Sequence, residues 1–62
     1  MPRKTLLEEA AALERVAHFM AVEADRLPER SLVRRDLFRY SEDLHEAALA
    51  FREGATALAS PA

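Results

Sequence analysis

Large apolar residues return every seven positions along both halves of this chain, and a small residue stands between each successive pair. In the first half Leu6, Leu13, Met20 and Leu27 hold the period, with Ala10, Ala17 and Ala24 between them. In the second half Leu37, Leu44, Phe51 and Leu58 repeat it, with Ser41, Ala48 and Ala55 between them. The spacing alternates four and three. That is the seam of α-helices packed side by side, because it keeps one stripe of each helix facing its neighbour. A small residue at every second position lets two backbones come closer than a leucine-only seam allows. The fold class that follows is all-α.

Punctuation is sparse, with one glycine and three prolines in 62 residues. Thr5 followed three residues later by Glu8 reads as a capping box, in which hydroxyl and carboxylate each satisfy a free amide. Pro28 disfavours the helical region for Leu27 and so ends the first helix. Ser31 suits the cap of a second helix, with Pro28 as an alternative first position. The pattern predicts one domain over residues 1–62: a helix over about 5–27, a turn at 28–31 and a helix over about 32–59. The apolar period continues through Ala55 and Leu58, so Gly54 is expected within the second helix. Ser60, Pro61 and Ala62 should fray. A turn this short makes the two helices antiparallel.

So short a chain needs a staple beyond its own core. The absence of cysteine excludes disulfides, thiol catalysis and cysteine zinc sites. Oligomerisation is the remaining common staple. The apolar stripes are also wider than one hairpin covers: Val16 and Ala21 flank the first seam, and Val33, Phe38, Tyr40 and His45 flank the second. A homodimer closing into a four-helix bundle is therefore expected; a hairpin packed on a different, larger protein is the alternative. The formal net charge of -2 argues against general nucleic-acid or membrane-surface binding. Glu8 and Glu9 interrupt any apolar run after the basic start, so no signal peptide is read. No stretch is long enough to span a membrane. The expected location is the cytoplasm.

The stretch Glu42-Asp43-Leu44-His45-Glu46-Ala47-Ala48, with the large and small layers of Leu44, Ala48 and Phe51, resembles the second helix of the Rop family. Leu13, Ala17 and Met20 resemble layers of its first helix. The resemblance implies a helical hairpin that dimerises into a four-helix bundle. Rop-like proteins bind paired RNA loops through an aromatic on the outer face of the first helix, flanked by amide and basic side chains. The position matching that aromatic is Ala12, and the flanking positions carry Glu9, Val16 and Glu23. Carboxylates there repel phosphate. A protein partner is accordingly expected in preference to RNA.

Candidate contact residues lie off the seam. Phe19 and Val22, with Val16 nearby, make more than an isolated apolar spot on the outer first helix and suit a partner-binding surface; extra bundle packing is the alternative. Arg30, Arg34, Arg35 and Arg39 gather near the turn. Arginine forks suit phosphate or carboxylate; the alternative is a solvated helix start with Asp36–Arg39 and Arg39–Asp43 pairs. The candidate partner-binding set is Phe19, Val22, Arg34, Arg35 and Arg39.

Catalytic chemistry finds little support. Glu42 and His45 have the Glu-x-x-His spacing of metal bundles, but Glu42 and His18 fall on outer faces while metal ligands must point inward. His45 is expected as a partly buried flank residue. The run from Tyr40 to His45 is similar to the signature of small sporulation-type phosphatases. Those carry an aspartate where His45 stands, and Ser41 falls on the seam. No metal, cofactor, small-molecule substrate or catalytic residue is expected. The sequence reads as a small non-enzymatic interaction or regulatory module.

Overall fold

The computed structural model describes residues 2–59, and these form two α-helices with no strand. Helix α1 spans Arg3–Asp25 and helix α2 spans Leu32–Ala59. The start of α1 departs from the predicted capping box. Pro2 is the N-cap, with φ -61° and ψ 148°, and no side chain caps the helix. The Leu6 N–H donates to the Pro2 carbonyl at 3.1 Å. Proline has its φ preset and no N–H to satisfy, so the chain enters the helix ahead of Thr5. Thr5 stands inside the first turn, and Glu8 faces Lys4 at 3.9 Å instead of reaching back.

The end of α1 also falls two residues early. Arg26 and Leu27 donate their N–H groups to the carbonyls of Glu23 and Ala24, three residues back, at 3.2 and 3.0 Å. This tightened turn leaves Leu27 outside the helix, where Pro28 requires it to be. Pro28 does not start α2; its carbonyl accepts the Ser31 N–H at 2.9 Å. Ser31 is the cap. Its Oγ accepts the Arg34 N–H at 3.2 Å, and its carbonyl accepts the Arg35 N–H at 3.3 Å. Gly54 lies within α2, which continues to Ala59. A Cβ there would meet Leu6 Cδ1 at 3.6 Å, an ordinary contact. Ser60, Pro61 and Ala62 lie outside the described residues.

Contacts between the helices fix an antiparallel register. Asp25 meets Arg34, Ala17 meets Ser41, Glu14 meets Arg52 and Leu6 faces Gly54. The partner number rises as the α1 number falls. Among the described residues the buried ones are Ala10, Ala17 and Ala24 on α1 and Ser41, Ala48 and Ala55 on α2. These are the small seam positions. At the middle of the seam the Ser41 hydroxyl donates to the Ala17 carbonyl at 2.7 Å. A side chain of two bonds spans the gap between the helices there, so the close approach that the small residues permit is realised.

The large seam residues fare differently. Leu6, Leu13, Met20, Leu37, Leu44 and Phe51 are only half-buried, and no large side chain among the described residues is fully buried. Leu58 is 58 % exposed despite its seam position. Leu6 already faces Gly54, so Leu58, one turn further along α2, has run past the start of α1.

Candidate functional site

An open groove of about 570 Å³ runs along the turn and the first three turns of α2. It is lined by Glu29, Arg30, Ser31, Leu32, Arg34, Arg35, Phe38, Arg39 and Glu42. Three of the candidate contact residues, Arg34, Arg35 and Arg39, thus meet in one place, and Arg30 joins them. Phe19 and Val22 lie on the outer side of α1 and do not line this groove; Phe19 is 62 % exposed.

The arginines are not equivalent. Arg34 falls seven residues before Ser41, on the first small position of the α2 seam. Its guanidinium sits 3.7 Å from the Asp25 carboxylate of α1 and 4.9 Å from the centre of the Phe38 ring. It is the least exposed of the cluster and ties the two helices together beside the turn. Arg30, Arg35 and Arg39 are exposed, and no carboxylate of the described residues lies within ion-pair distance of them. The local pairs expected of Arg39 with Asp36 and Asp43 do not form. Helical spacing brings such side chains near each other but leaves long exposed ones free to choose solvent, because a surface pair gains little.

A second feature is apolar. Successive residues on a helix turn by about 100°, so Val16 and Tyr40, each just before a seam residue of the Ala17–Ser41 contact, share one flank of the hairpin. Glu14 and Arg52, each three residues before a seam alanine, meet on the other flank, where Arg52 Nε donates to a Glu14 carboxylate oxygen. That bond holds the Glu14 carboxyl below its ordinary range and raises Arg52. Sequence reasoning missed this pair. Both residues stand three places before a seam alanine, and laying the helices antiparallel brings them together. The Val16 flank has no such pair at its centre. Val16, Val33 and Tyr40 are 46 %, 59 % and 59 % exposed, and Ala47, half-buried, continues the row. On the Glu14 flank, Phe38 is half-buried and His45, expected to be partly buried, is exposed in the single chain.

Ser41 is buried and its hydroxyl is engaged with Ala17, so it is placed for packing between helices. No cluster of three metal-ligating side chains occurs among the described residues, and no described helix is long and apolar enough to cross a membrane. No known family, characterised protein or solved structure matches this chain.

Proposed function

We propose that this chain is a non-enzymatic interaction module: a homodimeric four-helix bundle that presents helical surfaces to a protein partner. Exposed area carries the dimer. A compact monomer of 7.0 kDa exposes about 4,000 Å². This hairpin exposes 4893 Å², about 900 Å² more than that expectation. A standard protein interface covers about 800 Å² on each partner. One interface of ordinary size therefore brings the chain to the exposure of a compact protein. The flank holding Val16, Val33, Tyr40 and Ala47 lies beside the half-buried seam leucines and is the surface a second copy covers.

The outer residues Phe19 and Val22, and the groove with Arg34, Arg35 and Arg39, remain open in such a dimer and form the partner surface. RNA is a weaker fit than protein. Glu29 and Glu42 stand among the arginines of the groove, and Arg3, Lys4, Arg15, Arg26 and Arg52 are scattered along the rest of the hairpin. Sedimentation equilibrium tests the assembly. Twice the chain mass at micromolar concentration is expected; a stable monomer overturns it.

A further inference from the structure

The groove beside the turn differs from the rest of the surface in how its charge is matched. Nine basic side chains are present. Lys4, Arg26, Arg34 and Arg52 are paired with carboxylates. Five have no carboxylate of the described residues within ion-pair distance, and three of those five, Arg30, Arg35 and Arg39, line one groove. The groove also offers apolar surface: Leu32 is 67 % exposed, and the Phe38 ring lies on its wall with the Arg34 guanidinium over it. Glu29 and Glu42 belong to the same lining.

We infer that this groove binds a short acidic peptide segment of a protein partner, with carboxylates on Arg30, Arg35 and Arg39 and an apolar side chain against Leu32 and Phe38. The inference rests on the module reading and names the chemistry of its partner. Unpaired guanidinium forks donate two parallel N–H bonds to a carboxylate. The volume falls within the range of sites for small ligands and so limits the occupant to a few residues. Glu29 and Glu42 interrupt the basic surface, so a continuous phosphate backbone meets repulsion at each, whereas a peptide can place neutral residues there. The Arg34 pair with Asp25 stays intact, because the three unpaired arginines supply the positive charge.

The test uses the full chain and a fluorescently labelled hexapeptide of alternating glutamate and leucine. Anisotropy at low salt should show saturable binding that weakens as salt rises, since exposed charge contacts are screened. Replacing the peptide glutamates by glutamine should weaken it by about tenfold or more, and so should Arg35→Gln with Arg39→Gln. Sedimentation and circular dichroism of the double variant should match the parent, which separates loss of the site from loss of the fold. No binding up to millimolar peptide, equal binding of the glutamine peptide, equal binding by the folded double variant, or tighter binding of a single-stranded oligouridylate of similar charge each overturns the inference. A monomeric chain that still binds the acidic peptide overturns the dimer and leaves the groove assignment standing.

Discussion

Ser41 shows how a polar residue serves a helical seam. Its hydroxyl is buried, yet it is satisfied by the Ala17 carbonyl across the interface. That carbonyl also lies within α1, where the helical pattern gives it a backbone donor four residues on. Removing the hydroxyl therefore leaves the carbonyl with a partner. Ser41→Ala is expected to cost about 1 kcal/mol or less, the ordinary net worth of a hydrogen bond, as measured by urea unfolding. Ser41→Leu is expected to cost more, about 1–3 kcal/mol, because the gap holds only a two-bond side chain. The pair on the opposite flank predicts a pH effect. Arg52 holds the Glu14 carboxyl below its ordinary range, so the folded chain binds a proton there less readily than the unfolded chain does. The resulting stabilisation is present above the ordinary carboxylate range and is lost as pH falls through that range to the lowered value. Glu14→Gln should flatten the acid side of a plot of stability against pH between about 5 and 3. An unchanged slope would show that the exposed pair contributes nothing. Arg34 carries a contact the sequence does not show: besides lining the groove it reaches Asp25 of the other helix. Grouped with its neighbours it reads as a contact residue; in the fold it lines the groove and also ties the two helices together beside the turn.

At the scale of elements, the seam was legible and the helix ends were less so. The seven-residue period placed Ala10, Ala17, Ala24, Ser41, Ala48 and Ala55 together, and they are the buried ones among the described residues. Periodicity reads burial well because a helix repeats the same face over several turns. Leu58 breaks the rule since burial also requires a facing residue, and α1 offers none at that level. Thr5 and Glu8 do not mark the start of α1, because a capping motif shows what a side chain is able to do and Pro2 begins the helix ahead of it. Two substitutions separate a real cap from an apparent one. Ser31→Ala should cost about 1 kcal/mol, because the Arg34 N–H loses its acceptor. Thr5→Ala should fall within about 0.5 kcal/mol of the parent. The reverse order would put the start of α1 at Thr5. The seam makes a parallel prediction. Ala17→Leu or Ala48→Leu should overpack the closest approach and cost about 1–3 kcal/mol, whereas Ala50→Leu, at an exposed position, should change little. The candidate site was legible in part for a related reason. Spacing gathered the arginines on consecutive turns of one helix. Which of them found carboxylates depended on the register between helices, and a single helical wheel does not contain that register.

For the whole molecule, the surplus of exposed area and the asymmetry of the two flanks lead to one prediction. An ion pair bridges the helices on the Glu14 flank, where Leu49 is the exposed large apolar residue, while Val16, Val33 and Tyr40 stand exposed together beside half-buried leucines on the other. If a second copy covers that flank, charge introduced there must separate the copies. Val16→Lys with Tyr40→Lys should move the sedimentation mass from two chains to one. It should also abolish the rise of melting temperature with protein concentration, which linkage requires of a dimer that unfolds to monomers. The monomer that results should be much less helical at micromolar concentration, because the buried ones among its described residues are five alanines and a serine. Phe19→Ser is the contrasting substitution. Phe19 lies further round α1 than Val16, so its loss should leave both mass and helicity near those of the parent while weakening capture of a protein partner. A double lysine variant that remains dimeric would place the interface on the Glu14 flank. A Phe19→Ser variant that melts with the loss of several kcal/mol would make Phe19 part of the bundle core and withdraw it from the partner surface.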